Sequence, residues 1–312
     1  MRQFAEFVRA AGLLVDHIDA DGVWHRCRTD NHPRKRNGTY KLATDGLIGW
    51  CMDYAIHTEP LTWRPEREYQ PAKLDGAAIA RKRSEERREL VRATQAAREF
   101  YAECDPLRGG HQYLDDHGLT MAGCYGLKLD ADGWLVVPVM IERNLMSVQR
   151  ISPDGTKRFW PGASVKAGSY LIERRGAQLT VLCEGLATGL AIYAAAPSTR
   201  IVVAFDTGNM ARVRIPRRGL TVVAADNDHQ TAERIGHNPG LEAAQAVAEA
   251  LGCGVAMPFG MSGSDWCDYR NDRLHFMWQE KPKARESEIR RAVDAEIAAA
   301  MMRNATFLRG RA

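Results

Sequence analysis

The chain has 312 residues, of which 45% are hydrophobic and 26% charged, with a formal net charge of +4. This composition excludes a disordered or fibrous polypeptide and describes a globular protein of two or three domains. No apolar run approaches the roughly 20 residues that span a bilayer. Seven cysteines occur without a CxxC pair or a secretory leader, so the expectation is a reduced, cytoplasmic protein with no membrane partner.

Residues 1–13 predict an amphipathic helix, with Phe4, Phe7, Val8, Ala11 and Leu13 near helical spacing and Gly12 ending it. Residues 14–65 read as short strands and turns, with Asn37-Gly38 as the hairpin signal. Here Arg26, Arg28, Arg34, Lys35 and Arg36 interleave with Trp24, Tyr40, Trp50, Tyr54 and Trp63. Cations suit phosphates and aromatic faces stack on unpaired bases, which makes Trp24, Arg26, Arg34, Lys35 and Arg36 candidate DNA contacts. The same aromatics also suit the core of a small sheet. From Ala77 to Tyr101, mixed charges with Ala and Leu and neither Gly nor Pro predict a long solvent-facing helix.

Residues 105–176 hold a run His111-Gln112-Tyr113-Leu114, then strands over 134–140 and 145–151. A turn, Pro153-Asp154-Gly155-Thr156-Lys157, and a second basic stretch at Lys166 follow. Three apolar runs come next, 179–183, 201–205 and 220–225, separated by helical patterns, as a buried parallel sheet requires. Their carboxyl ends carry Glu184-Gly185, Asp206 and Asp226-Asn227-Asp228. Functional groups collect at that edge of such sheets. Carboxylate oxygens suit hard Mg²⁺ or Mn²⁺ ions, and two ions about 3.5–4 Å apart would stabilise both oxygens of a phosphoryl transfer. Each acid taken alone also suits a helix N-cap. A helix over 241–251, a strand at 254–258 and the acids Asp265 and Asp268 follow. Residues 286–302 place Ile289, Val293, Ile297 and Met301 on one narrow stripe, which suits packing on the preceding domain or docking on a partner.

Strand-Glu-Gly-helix followed by strand-Asp-x-Asp resembles the Toprim domain of primases, topoisomerases and related nucleases. The elements at 134–170 resemble the subdomain that precedes Toprim in bacterial and phage primases. Together the two resemblances cover residues 105–273 and imply an α/β fold. A Rossmann-like parallel Toprim sheet would be preceded by an α+β primase subdomain and a small β-rich, zinc-ribbon-like N-terminal module. The implied organisation is a template-binding module at 1–68, a helical linker at 69–104, the nucleotide-binding subdomain at 105–176, Toprim at 177–273 and a helical tail at 274–312. The implied activity is that of a phage- or plasmid-type DNA primase, a nucleotidyltransferase joining ribonucleoside triphosphates on single-stranded DNA with Mg²⁺ or Mn²⁺. A replicative helicase is the implied protein partner.

Carried over by position, Glu184, Asp226 and Asp228 are catalytic and, with Asp268, metal ligands. Arg150, Lys157, Lys166 and Asp206 face the nucleotide. Cys267 stands where the late Toprim element usually has Asn, and Thr188 where many Toprim domains have Asp; one acid fewer is expected to weaken metal binding. Primases commonly carry a zinc ribbon at the N-terminus. Here Cys27, His32, Cys51 and His57 lack its paired spacing, so the module is expected to stand on its hydrophobic core without zinc. A Toprim nuclease and an inactive single-strand-binding protein are the alternatives.

Overall fold

The computed structural model describes residues 2–57, 59–65, 76–216, 219–259 and 263–307. The chain divides into two compact units, Met1–Arg88 and Glu89–Ala312. The expected boundary at 68/69 lies outside the described residues.

In the first unit, α1 (Arg2–Ala10) packs against an antiparallel sheet of β1 (Leu13–Leu14), β2 (His25–Thr29), β3 (Gly38–Leu42), β4 (Gly49–Asp53) and β5 (Leu61–Trp63), paired in that order. Strand alternation sorts the side chains. Cys27, Tyr40, Leu42 and Cys51 face Phe4 and Val8 in the core, while Arg26, Arg28 and Lys41 face outward. Tyr40 and Trp63 therefore serve the core, whereas Trp24 and Tyr54 stay about half exposed. The Asn37-Gly38 hairpin signal is corrected: Gly38 opens β3, opposite Cys27, after a longer loop. A Cβ on Gly38 would lie 2.8 Å from Thr29 Cγ2, so this glycine answers a close approach rather than a tight turn.

The long α2 (Gly76–Glu103) is charged and mostly exposed over 80–92, as its composition predicts. In the second unit, β6 (Asp105–Pro106) and α3 (Gln112–Asp116) precede β7 (Lys128–Leu129), β8 (Leu135–Ile141), β9 (Asn144–Ile151) and β10 (Lys157–Phe159). Their antiparallel sheet runs β10-β9-β8-β7-β6. The second sheet contains β11 (Tyr170–Ile172), β12 (Leu179–Cys183), β13 (Thr199–Val203), β14 (Leu220–Ala224), β15 (Gly254–Ala256) and β16 (Thr306–Phe307). Its order is β11-β13-β12-β14-β15; β12 to β15 run parallel, and β11 and β16 are antiparallel additions.

The continuous apolar strands are buried on both faces because helices cover both. On one face α4 (Leu186–Ala195), α8 (Trp266–Glu280) and α9 (Glu286–Asn304) close over Val181, Ile201 and Val222. On the other, α5 (Thr207–Met210) and α7 (Pro239–Leu251) cover Leu182, Val202 and Val223; α6 (His229–Ile235) lies between them in sequence. Gly189 lets α4 sit against the sheet, since a Cβ there would lie 3.0 Å from both Ile201 and Val203. One core runs from Leu107 to Met301 and joins the antiparallel sheet, the mixed sheet and the C-terminal helix. No helix among the described residues is long and apolar enough to cross a membrane.

Both uses of the 286–302 stripe fitted the sequence; in the structure it packs on α4 and α8. Ile297 is fully buried there. Replacing Ile297 with Ala is therefore expected to lower unfolding stability by about 2–5 kcal/mol in urea titrations, whereas a solvent-facing stripe would lose under about 0.5.

Candidate active site at the carboxyl edge of the sheet

Parallel strands β12 and β14 are neighbours, so Glu184 and Asp226 leave adjacent strands at the same edge. Glu184 Oε2 accepts the Thr207 hydroxyl at 2.5 Å, and its backbone carbonyl accepts Phe205 N–H at 2.9 Å. The Asp-x-Asp turn is clamped through its middle residue. Asn227 N–H donates to Ser264 C=O at 2.6 Å, and its side chain reaches Pro258 C=O and accepts from Asn238 Nδ2. Asp228 Oδ2 accepts Gly240 N–H at 3.1 Å. Gly240 is required there, because a Cβ would lie 2.8 Å from Asp226 C=O and 2.9 Å from Asp228 Oδ2.

A further acid enters from α8. Asp265 caps that helix, its Oδ1 accepting Cys267 and Asp268 N–H, both at 2.8 Å. Its Oδ2 takes the Thr188 hydroxyl at 3.0 Å. Asp268, an expected ligand, accepts Ser264 N–H at 3.1 Å.

Glu184, Thr207, Asp226, Asp228 and Gly240 line a cavity of about 170 Å³. Burial first, then the charges of Asp265, Glu184 and Asp228, push the Asp226 carboxyl up to about 8. Glu184 is raised as well, first by burial, then by Asp206 and Asp228, against the pull of the Thr207 hydrogen bond. Lys157 opposes both shifts, so this cation acts on the acidic edge from the antiparallel sheet. Asp226 Oδ1 is buried and has no hydrogen-bond partner.

A bare, desolvated carboxylate oxygen among other acids fits a divalent cation, which would supply the missing partner. Glu184 and Asp228 are hydrogen-bonded within the protein, and among the described residues no three His, Cys, Asp or Glu converge on one ion position.

The expected nucleotide contacts separate on inspection. Arg150 is held by Asp130 at 2.6 Å and Asp132 at 3.1 Å, and lies over the Trp134 ring at 4.7 Å. It staples the β7–β8 turn rather than standing free. Lys157 stands 5.8 Å over the Tyr113 ring, and Lys166 is exposed. Asp206 caps α5 through Asn209 N–H at 2.8 Å and also acts on Glu184.

In the first unit, Arg26 lies 4.5 Å over the Tyr54 ring, Lys41 lies over Trp24 and Trp50, and Arg34, Lys35 and Arg36 are exposed. Cys27 and Cys51 sit in the core, where burial pushes both thiols up to about 11. His57 Nδ1 is already engaged by Asp53 N–H at 3.0 Å, and His32 is exposed.

Thr207, Asn227, Asn238 and Gly240 support this edge, Asn209 holds the loop at 167–168, and pattern reading missed them all. Their only sequence signal is a polar residue or Gly after a strand end, which most loops share.

Residues 179–275 match the family model described as Toprim domain, and the resemblance of that stretch holds. The chain is 28% identical over 284 residues to a DNA primase TraC of Escherichia coli, covering 82% of this chain and 19% of the relative. A second DNA primase TraC from that organism is 27% identical over 289 residues, covering 84% and 27%. The chain thus spans about a fifth to a quarter of the length of the relatives it matches. Among solved structures, the primase fragment of the bacteriophage T7 primase-helicase protein is 15% identical with a TM-score of 0.40, covering 58% of this chain and 74% of its own. The DnaG primase catalytic domain bound to ssDNA is 12% identical with a TM-score of 0.37, covering 70% and 83%. Structural likeness at this level lends no weight to either fold or function.

The raised Asp226 carboxyl sets a pH dependence. Between the ordinary carboxylate range and about 8 the folded protein keeps a proton that the unfolded chain has lost, so this group makes the metal-free protein less stable as pH rises. Asp226→Asn is expected to raise the metal-free melting temperature at pH 8 by about 3 °C or more, with the gap closing toward pH 4 in calorimetry. Mn²⁺ affinity, read by electron paramagnetic resonance, is expected to rise with pH by up to about tenfold per unit below pH 8 in the wild type and to be lost in the variant. Gly240→Ala is expected to weaken Mn²⁺ binding by at least about fivefold in the same assay by displacing Asp228, with a loss of stability near 1–3 kcal/mol.

Proposed function

We propose that this chain is the catalytic part of a DNA primase, joining ribonucleotides on a single-stranded DNA template. The observation that carries the reading is the half-buried carboxylate set of Glu184, Asp226 and Asp228, acted on by Lys157, with one buried, orphaned oxygen on Asp226. Homology to DNA primase TraC over most of the chain supports it, and the Toprim match supports the placement of the site.

Phosphoryl transfer from a triphosphate asks a protein mainly for positioning and charge. A divalent cation, Mg²⁺ or Mn²⁺, held by Asp226, Asp228 and Glu184 would supply Lewis acidity to the reacting oxygens. Thr207 orients Glu184 so that its carboxylate keeps one face toward the cavity. Gly240 N–H holds Asp228, and the Asn227 clamp holds the backbone of the Asp-x-Asp turn, before substrate arrives. Lys157, whose charge acts on Asp226 and Glu184, would pair with the anionic triphosphate, as would Lys166 on the loop before β11. Arg150 acts one step back, fixing the β7–β8 turn. In the N-terminal unit, Trp24, Arg26 and the Arg34-Lys35-Arg36 run present cations and an open aromatic surface suited to single-stranded template. The other late acid, Asp268, shapes the Ser264 turn beside the site.

The test is incorporation of labelled ribonucleotides on single-stranded DNA. Wild type is expected to give a ladder of short RNA products, Asp226→Ala none, and Lys157→Met a loss of about 10²-fold or more in kcat/KM. Metal-dependent degradation of the template without products would make the site a nuclease. Strand binding that survives Asp226→Ala, with neither activity in wild type, would make the protein a binding module.

A further inference from the structure

The four-residue α5 carries a buried side chain whose hydrogen bonds reach two separate parts of the site. Asn209 is 3% exposed. Its Oδ1 accepts Ala167 N–H at 2.7 Å, and its Nδ2 donates to Gly168 C=O and Ala204 C=O, both at 2.8 Å. Every donor of the amide is used, so the side chain has one orientation. Two positions earlier, Thr207 holds Glu184. The same helical turn thus grips the acidic edge through Thr207 and the Lys166-Ala167-Gly168 loop through Asn209.

The backbone on both sides of this grip is strained. Ala167 has φ 63° and Phe205 φ 72°, a left-handed conformation that costs a non-glycine residue about 1–3 kcal/mol and persists only where its surroundings hold it. The loop is held from its other side as well. Met140 and Ser169 exchange backbone hydrogen bonds at 2.9 Å, and a Cβ on Gly168 would lie 2.4 Å from Val139 Cγ1. Lys166 projects into solvent from a backbone that is fixed on two sides. A long cation on a fixed base loses less freedom on meeting an anion than one on a loose loop.

We infer that Asn209 is a positioning residue for nucleotide, clasping the Lys166 loop in register with the Glu184–Asp226 edge so that cation and carboxylates address one triphosphate. This rests on the nucleotide-binding role proposed for Lys166. Asn209 touches neither substrate nor metal; it acts through the loop.

The experiment measures binding of a fluorescent ATP analogue with Mg²⁺, without template, to wild type, Lys166→Met, Asn209→Ala, Asn209→Asp and Lys166→Met/Asn209→Asp. Amide hydrogen exchange is followed over 164–169 and Mn²⁺ binding by paramagnetic resonance. Asn209→Asp keeps side-chain volume and the acceptor for Ala167 but loses both donations, so it reports on the clasp should Asn209→Ala fail to fold. In Asn209→Asp, exchange at 164–169 should accelerate and nucleotide affinity fall about tenfold, while Mn²⁺ affinity stays within about twofold of wild type. The double variant should bind nucleotide no more weakly than Lys166→Met alone, because the clasp acts through that lysine. Additive losses, nucleotide affinity unchanged in Lys166→Met or in Asn209→Asp, or a parallel fall in Mn²⁺ binding would each overturn the inference. A wild-type protein that binds no nucleotide at all would remove the proposed function as well.

Discussion

A carboxylate whose buried oxygen has no partner is the constraint on which the rest of this edge depends. Asp226 is desolvated, crowded by Asp265, Glu184 and Asp228, and relieved in part by Lys157. Keeping it ionised costs several kcal/mol without a cation, by the linkage between a raised carboxyl pKa and stability. The surrounding structure is arranged to hold that unfavourable charge in place. Two apolar strands buried on both faces anchor the acids, Gly189 lets α4 settle against the sheet, and Gly240 lets α7 reach Asp228. The clamp of Asn227 on Ser264, Pro258 and Asn238 keeps the Asp-x-Asp turn from relaxing toward water.

Where burial alone decides, the sequence was legible. Strands β12 to β14 are largely apolar, with only Thr180, Thr199, Arg200 and Thr221 as polar members, and acids follow their carboxyl ends, as a sheet covered on both faces favours. The four-residue stripe of α9 was equally visible, but its destination was not. Amphipathicity states that a face must be covered without naming the cover, and only the tertiary fold brings α4 and α8 to it. Asn37-Gly38 shows the converse. Glycine suits both a left-handed turn and a crowded backbone, and here the crowding by Thr29 and Cys27 is what requires it.

Side-chain roles were harder to read because they turn on partners distant in sequence. Arg150 and Lys157 look alike along the chain. Asp130 and Asp132, some twenty residues earlier, meet Arg150 across the sheet, while Lys157 is left facing the acids. Asp265 and Asp268 are likewise equivalent on paper, one helical turn apart. The cap geometry of α8 separates them. The residue before the helix must accept its first free N–H groups, and that capping position aims the other oxygen of Asp265 toward Thr188.

Thr188 then acquires a physical reading that differs from a missing ligand. An aspartate at this fully buried position would add another negative charge beside Asp265, whose own charge is already the foremost one acting on Asp226. Like charges in a low-dielectric site raise one another's proton affinity, so a further acid would hold its proton and contribute no ligand until a cation arrived. Threonine instead donates a hydrogen bond to Asp265 at 3.0 Å and adds no charge. Its cost is one potential ligand, and its return is an Asp265 carboxylate fixed on both oxygens, by the helix N–H groups on one and the hydroxyl on the other. At this position a neutral donor orients an existing acid without adding to the carboxylate repulsion at Asp226.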